Sequence, residues 1–168
     1  MNLCRFFLRV LVVCPCLLLP DMAMASETLA DRVMVYKERR LLQLWQKDRL
    51  LAEYPVVLGG DPVGHKRQEG DEKTPEGLYV LDWRNDRSAY YRSLHISYPG
   101  PQDVVSAKKA GIDPGGMIMI HGQRNYFGWL AYLTQSFDWT NGCIAVTNTQ
   151  MDEIWDRVPD GTAIEIKP

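Results

Sequence analysis

One cysteine and one histidine are the residues of this sequence best suited to covalent chemistry. Cys143 follows the polar turn Thr140-Asn141-Gly142 and opens an apolar run, while His121 ends another apolar run. A thiol near an imidazole can lose its proton, and the thiolate is the attacking species. A glycine before a nucleophile lets the chain turn sharply and lets a substrate carbonyl approach nearby N–H groups. A distant cysteine and histidine are typical of thiol acyl-transfer enzymes.

Each of these residues also has a structural interpretation. Cys143 can be a buried, inert thiol, and His121 can be a core histidine bonded to a backbone carbonyl. His65 lies in a polar loop, so we expect it at the surface, whereas His95 can face either the core or the site. A zinc site of His95, His121 and Cys143 would lack the short ligand spacings of zinc motifs. We therefore expect no metal and no organic cofactor.

The first 25 residues are typical of a secretory signal peptide. Arg5 and Arg9 give a positive start, residues 10–19 form an apolar stretch too short to span a bilayer, and Ala23-Met24-Ala25 is a small-x-small cleavage site. We predict cleavage after residue 25, a periplasmic location and no stable membrane insertion; an uncleaved anchor or a lipidated cysteine is the alternative. Three of the four cysteines lie in this segment: Cys4, Cys14 and Cys16. The thiol that remains cannot form an internal disulfide.

Composition limits the function classes. The chain has 168 residues, of which 46% are hydrophobic and 24% charged, and this excludes a disordered or collagen-like chain. The formal net charge of -2 gives no basic excess, so we expect no nucleic-acid partner. Since no repeat or linker interrupts the chain, residues 26–168 are predicted to form a single domain.

The elements that must position the cysteine and the histidine are mostly strands. Alternating or short apolar runs predict a mainly β fold with two or three short helices. Three antiparallel strands are predicted over 32–37, 41–46 and 50–58. Further strands are predicted over 77–83, 94–98, 117–121, 143–147 and 162–166, and helices over 103–110 and 149–158. We expect Asn148 or Thr149 to cap the second helix.

Three motifs resemble those of the L,D-transpeptidase catalytic domain, also called the YkuD domain. Lys73-Thr74-Pro75-Glu76-Gly77-Leu78-Tyr79 is similar to the T-P-x-G-x-[YF] strand entry of that family. Ile120-His121-Gly122 resembles its histidine motif, and Thr140-Asn141-Gly142-Cys143-Ile144 resembles its [ST]-x-G-C-[IV] motif. The three motifs occur in the order typical of the family, and the resemblance covers residues 31–166.

The resemblance implies a YkuD-type β-sandwich whose substrate is the stem peptide of peptidoglycan. By position, Cys143 would be the nucleophile, His121 its base, and the backbone N–H groups around Gly142 and Cys143 the oxyanion pocket. Thr140 and Gly122, which belong to the same motifs, are weaker candidates for contact with the substrate.

Four further residues are candidates for substrate contacts. The guanidinium groups of Arg124 and Arg92 could bind substrate carboxylates in a bidentate manner, or be solvated surface charges. Asn141 could hold a substrate amide or only shape its turn. Ser93, like Thr140, could orient polar groups at the site.

The sequence also departs from the family pattern. Asn141 stands where the family has histidine, and Ala145 stands where it has arginine. Between the histidine and cysteine motifs lies an aromatic-rich segment, suited either to packing or to a substrate platform. Its aromatic residues are Tyr126, Phe127, Trp129, Tyr132, Phe137 and Trp139.

Together with Gly70-Asp71 before the first motif and the segment Ser93–Pro99, these features resemble a YafK-like branch of the family, which leaves the outcome of the reaction open. The resemblance implies transfer of the acyl group to an amine, or hydrolysis that releases a lysine-bearing outer-membrane lipoprotein or terminal residues from diaminopimelate. A catalytically inert cell-wall-binding module is the alternative outside the enzymes.

Overall fold

The structure, a computed structural model, describes residues 28–168. Eight strands form one sheet in the order β3-β2-β1-β8-β4-β5-β6-β7. The strands are β1 (Arg32–Tyr36), β2 (Leu41–Gln46), β3 (Arg49–Pro55), β4 (Gly77–Ser88), β5 (Tyr91–Ile96), β6 (Met119–His121), β7 (Ile144–Ala145) and β8 (Thr162–Lys167). The predicted signal peptide, with Cys4, Cys14 and Cys16, lies outside the described residues.

The first three strands form the predicted antiparallel meander. β1 pairs with β2 and β2 with β3 in antiparallel register, and β8 returns to pair in parallel with β1. Because side chains alternate across a strand, Val33 and Val35 of β1 and Leu42 and Leu44 of β2 are fully buried. Met34 and Gln43, which lie between these residues, are buried as well, so the apolar content of the two segments, and not strict alternation, predicted this half of the sheet.

β4 is longer than predicted. The sequence favours a strand that ends at Trp83, but β4 continues to Ser88 and forms a hairpin with β5, with two register irregularities. Residues 84–87 are charged or polar and are not buried, so they show no apolar alternation. The hairpin brings Tyr90 next to β5, a placement that the sequence pattern did not indicate.

The sheet curls until its far edge meets the chain that follows β3. Val57 forms an antiparallel bridge with Ala145 of β7, and Gly59 forms a parallel bridge with Thr140. The curled sheet encloses a core in which Ile120, Ile144 and other side chains are fully buried. The prediction of a mainly β domain with short helices is confirmed.

Two ten-residue helices lie outside the sheet: α1 (Pro101–Ala110) and α3 (Asn148–Arg157). The short helix α2 (Ala131–Thr134) lies between them in the chain. Thr147 caps α3, because its hydroxyl accepts the N–H of Gln150 while the Gln150 side chain accepts the N–H of Thr147. The predicted caps, Asn148 and Thr149, were therefore wrong by one and two positions.

The aromatic-rich segment between β6 and β7 contains helical turns that the sequence analysis did not predict. A 3-10 turn, Gly128–Leu130, leads into the short helix α2 (Ala131–Thr134). Neither buries an apolar face, so the periodic signal of a packed helix is missing. Within residues 28–168, no helix has the length and apolar character needed to cross a membrane.

Candidate active site

His121 and Cys143 line one cavity because their strands are neighbours. β6 and β7 run in parallel, with Ile120 opposite Ile144 and His121 opposite Ala145, so Cys143 enters this strand pair two residues before the level of His121. The cavity has a volume of about 420 Å³. Its lining also includes Ser88, Tyr90, Ser93, Met117, Met119, Trp139, Thr140 and Asn141.

The turn before Cys143 is held by the side chain of Thr140. The hydroxyl of Thr140 donates to the carbonyl of Cys143 at 2.7 Å and accepts the N–H of Gly142 at 3.1 Å. Thr140 is buried, so both bonds are shielded from water. One hydroxyl thus ties both ends of the turn that presents the thiol.

Glycine is required at position 142 by the backbone conformation there and by a closely packed neighbour. The φ of Gly142 is 115°, a value that L side chains rarely adopt, and a Cβ would lie 2.5 Å from the carbonyl oxygen of Lys73. The loop that connects β3 to β4 therefore packs directly on the turn. The same loop passes so close at Gly59 that a Cβ there would lie 3.0 Å from the Gly142 Cα.

The backbone N–H groups that are free to bind an oxyanion are not all those expected around Gly142 and Cys143. The N–H of Gly142 is bonded to Thr140 and is not available to a substrate. The N–H groups of Asn141 and Cys143 have no acceptor within the described part of the chain. Of the N–H groups in this turn, those of Asn141 and Cys143 are therefore the ones left to bind an oxyanion.

The imidazole of His121 is fixed in one tautomer. Nδ1 lies 2.7 Å from the carbonyl oxygen of Gly122, which can only accept, so Nδ1 carries the hydrogen and Nε2 carries a lone pair. Burial lowers the pKa of His121 to about 4, although the bond to Gly122 opposes this shift. At neutral pH the ring is an uncharged base. Tyr90 and Trp139 pack on it, with ring centroids 4.7 Å and 5.8 Å away.

The thiol of Cys143 is protonated at rest. Burial raises its pKa, while a hydrogen bond with the Met119 backbone and the charge of Lys66 oppose the rise. Sγ also lies 3.7 Å from the carbonyl oxygen of Met117, which accepts the thiol hydrogen. The buried ammonium of Lys66 is itself held by Asp71 at 2.8 Å. The site therefore combines a neutral thiol with a neutral imidazole.

The substrate-contact candidates separate into two groups. Thr140, Asn141 and Ser93 line the cavity. Arg124 does not: its guanidinium lies 5.9 Å above the ring of Phe127, beside a neighbouring groove. Arg92 forms an ion pair of 2.9 Å with Asp152 on α3.

Gly122 is a packing position and does not line the cavity. A Cβ there would lie 2.8 Å from the Asn148 side-chain oxygen and 2.9 Å from the Cβ of Tyr91. Its carbonyl orients His121, so its effect on a substrate would be indirect.

The other two histidines lie outside the cavity. His95 contacts Asp82 at 2.7 Å and stacks on Trp83. His65 is not a free surface residue, because its Nδ1 accepts the N–H of Glu76 and its Nε2 lies 3.0 Å from Asp103. In residues 28–168, no group of three or more His, Cys, Asp or Glu side chains could hold a metal ion.

Sequence reasoning missed Tyr90, Ser88, Met117 and Met119. Tyr90 lies in the unpredicted hairpin between β4 and β5 and reaches His121 through tertiary packing. The two methionines belong to the predicted apolar strand 117–121, but nothing in that run indicates which side chains face a cavity. Only the three-dimensional pairing of β5, β6 and β7 brings these residues to the thiol.

The fold and the cavity define a class: a curled, mainly β domain with a cysteine and a histidine in one cavity. The chain belongs to the L,D-transpeptidase catalytic domain (YkuD) family, which matches residues 30–166. It is 31% identical over 133 residues to YafK of Escherichia coli (strain K12), a match that covers 75% of this chain and 46% of YafK. The chain thus spans about half the length of the curated relatives that it matches.

Solved structures agree with this fold. A mutant of the helical cell shape determining protein Pgp2 from Campylobacter jejuni superposes with a TM-score of 0.63 and 25% identity, over 84% of this chain and 49% of that one. An L,D-transpeptidase from Mycobacterium smegmatis gives a TM-score of 0.55 at 12% identity, over 83% of this chain and 59% of that one. The second likeness concerns the fold alone. The resemblance inferred from the three motifs is confirmed at the level of family and fold.

Proposed function

We propose that this chain is an exported, periplasmic cysteine acyl-transfer enzyme that acts on the peptidoglycan stem peptide. The observation that carries the proposal is that Cys143 and His121 line one cavity, with the Nδ1 of His121 committed to Gly122. This arrangement leaves Nε2 as a base in the cavity that the thiol also lines. Membership of the L,D-transpeptidase family supports the stem peptide as substrate.

In the first step the thiol attacks a peptide carbonyl, here that of diaminopimelate. The sulfur forms a bond to the carbonyl carbon as Nε2 of His121 takes the thiol proton, so no free thiolate is needed at rest. The resulting oxyanion would accept hydrogen bonds from the N–H groups of Asn141 and Cys143. Thr140 contributes indirectly because it fixes the turn that aims these donors.

In the second half of the first step the tetrahedral intermediate collapses. The carbon–nitrogen bond breaks and the imidazolium of His121 donates its proton to the leaving amine, which leaves a thioester on Cys143. The bond from Nδ1–H to the carbonyl of Gly122 stabilises the transient imidazolium in a site where burial disfavours charge.

The second step regenerates the thiol. An acceptor amine loses a proton to the Nε2 of His121 and attacks the thioester, which gives a cross-link or a protein attachment. Water in place of the amine frees the diaminopimelate carboxylate. If the amine that left in the first step is the lysine of an outer-membrane lipoprotein, the net reaction is hydrolytic release of that lipoprotein. The proposed reaction is transfer to an amine, and hydrolysis is the competing outcome.

Purified variants incubated with muropeptides test the mechanism. Cys143→Ala should abolish turnover, and His121→Ala should reduce it by about 10²- to 10⁴-fold, the usual contribution of a general base. His95→Ala removes a histidine outside the cavity and should retain activity. Full activity of Cys143→Ala would contradict the mechanism, and an inert wild type that still binds sacculi would identify a binding module.

Mass spectrometry of the products distinguishes transfer from hydrolysis. New cross-links between diaminopimelate residues indicate transfer, whereas tripeptides or released lipoprotein without cross-links indicate hydrolysis. Both outcomes require Cys143, so the assignment of the nucleophile is tested separately from the acceptor.

A further inference from the structure

The segment 123–139 between β6 and β7 carries a cluster of exposed aromatic side chains. Their exposed fractions are 95% for Tyr126, 47% for Phe127, 71% for Trp129, 69% for Tyr132 and 58% for Phe137. Single exposed apolar residues need no explanation, but a concentration of large ones marks an interaction surface. We call these five residues the aromatic patch.

The segment that carries the patch is firmly anchored. Gln123 is buried, donates to the carbonyl of Val146 at 2.7 Å and accepts the hydroxyl of Thr134. At the other end the indole N–H of Trp139 donates to the carbonyl of Thr134 at 3.0 Å, and Asp138 pairs with Arg40 at 2.7 Å. Since both ends are fixed to the domain, the exposed rings belong to a built surface.

One member of the patch, Phe127, borders a groove that adjoins the cavity of Cys143. This groove, of about 300 Å³, is lined by Phe127 and Arg124 and shares Tyr90 and Trp139 with that cavity. The rings of Tyr90 and Trp139 stack with centroids 5.9 Å apart and separate the two spaces. A molecule that reacts at Cys143 and extends past these two rings would therefore enter this groove and meet Phe127, the first ring of the patch.

The edges of the patch are polar. The hydroxyls of Tyr126 and Tyr132 and the indole N–H of Trp129 form no hydrogen bond with the described residues. Flat apolar ring faces bordered by free donors match a pyranose ring, which has an apolar C–H face and hydroxyls at its rim. A purely hydrocarbon partner would cover these donors and leave them unpaired.

We propose that the aromatic patch binds the amino-sugar rings of the glycan strand that bears the stem peptide. This inference rests on the proposed function. If the attacked carbonyl is that of the third stem residue, two residues separate it from the sugar. At about 3.5 Å per extended residue the sugar lies on the order of 10 Å from Sγ, which is within reach of a groove that shares Tyr90 and Trp139 with the cavity.

Two measurements test the proposal, and one of them is independent of catalysis. The Cys143→Ala protein is titrated with a peptide-free, β-1,4-linked N-acetylglucosamine oligomer, and binding is followed by isothermal titration calorimetry, which does not use Trp129 as the reporter. Adding Trp129→Leu should weaken binding about fivefold, because it keeps the apolar area but removes the aromatic face. Trp129→Phe should restore most of the affinity, and Leu78→Ala, an exposed apolar control on β4, should change nothing.

The second measurement uses turnover by the chain with Cys143 intact. Trp129→Leu and Tyr132→Leu should raise KM for a disaccharide-tetrapeptide about fivefold and leave kcat/KM for the free tetrapeptide unchanged. An equal loss with both substrates would overturn the proposal and assign the patch to the peptide or to a protein acceptor. Wild-type affinity of Trp129→Leu for the sugar oligomer would overturn it as well, whereas loss of turnover alone would count only against the proposed function.

Discussion

Nδ1 of His121 lies 2.7 Å from the carbonyl oxygen of Gly122, its neighbour in the chain. This bond, made within two consecutive residues, decides which ring nitrogen is left to act as a base. It is possible because the chain leaves β6 immediately after His121, while the carbonyl of His121 itself remains bonded to the N–H of Val146. The chain thus sets the tautomer of His121 without a second side chain.

The rate at which a small alkylating agent modifies Cys143 should rise only at a pH above the range of a free cysteine. Because burial raises the pKa of the thiol, the rate of reaction with iodoacetamide should have its midpoint above that of a free cysteine. Stem-peptide turnover should nevertheless proceed at neutral pH, since His121 removes the proton during attack. An alkylation rate that reaches its plateau well below the ordinary thiol range would indicate a preformed ion pair and contradict this mechanism.

Stability should fall in acid because His121 is buried in its neutral form. Burial lowers the pKa of His121 to about 4 from an ordinary 6.5, so the unfolded chain binds the proton more readily. The contribution is complete above pH 6.5 and is lost as pH falls to about 4; it amounts to about 3 kcal/mol. The free energy of unfolding, measured by denaturant titration at pH 7 and pH 4.5, should show this loss. His121→Gln should flatten the pH dependence of the unfolding free energy. An unchanged dependence in this variant would show that His121 is not the group responsible.

Local pattern predicted those parts of the fold whose side chains alternate or repeat. β8 follows alternation, β1 and β2 are short apolar runs, and Met151 and Ile154 share the buried face of α3. The far end of β4 could not be predicted, because its charged side chains are held by hairpin pairing and not by burial.

The residues of the active site also divide into those that the sequence could predict and those that it could not. Cys143 and His121 are marked by their own motifs, and the structure places both in one cavity. Tyr90 has no local signal, since its contact with His121 depends on how β5 and β6 pair. The bond between Thr140 and Gly142, which removes a predicted oxyanion donor, is visible only once the turn is folded.

Thr140→Val should impair the turn, whereas Thr140→Ser should be tolerated. Valine keeps the shape but leaves the carbonyl of Cys143 and the N–H of Gly142 without their bonds, at a cost of about 1–3 kcal/mol in unfolding free energy. Stem-peptide turnover should fall about 10- to 100-fold, because the N–H groups that bind the oxyanion lose their aim. Thermal unfolding and turnover of the two variants check this. Equal turnover by valine and serine would show that the hydroxyl is dispensable.

Asp71→Asn should destabilise the loop that packs on the active-site turn. Burial alone would raise the pKa of Asp71. Hydrogen bonds from the Arg67 and Gln68 N–H groups and from Lys66 outweigh this effect and bring the pKa down to about 2. Its stabilising effect is therefore present above pH 3.8 and is lost as pH falls through 2. The amide leaves the buried charge of Lys66 unpaired, which costs about 3–5 kcal/mol in unfolding free energy.

A double variant distinguishes the charge from the loop geometry. Asp71→Asn with Lys66→Met removes the unpaired ammonium and should recover part of the lost stability. Denaturant titration of both single variants and the double variant at pH 7 gives the coupling. No recovery would mean that Asp71 acts only through the backbone N–H groups that it accepts.

Gly142→Ala should be far more damaging than Gly161→Ala, although both glycines have positive φ. Gly161 has φ of 90° with nothing near its missing Cβ, so alanine there costs only the backbone strain of about 1–2 kcal/mol. At Gly142 the Cβ would also lie 2.5 Å from the carbonyl oxygen of Lys73, so either the loop or the turn must move.

For Gly142→Ala the unfolding free energy should fall by about 3 kcal/mol or more, since strain and overpacking add. Stem-peptide turnover should drop more than 100-fold for Gly142→Ala, because a 1 Å misplacement of Cys143 is enough for that loss. Equal stability and turnover in the two variants would show that the contact with Lys73 does not position the thiol.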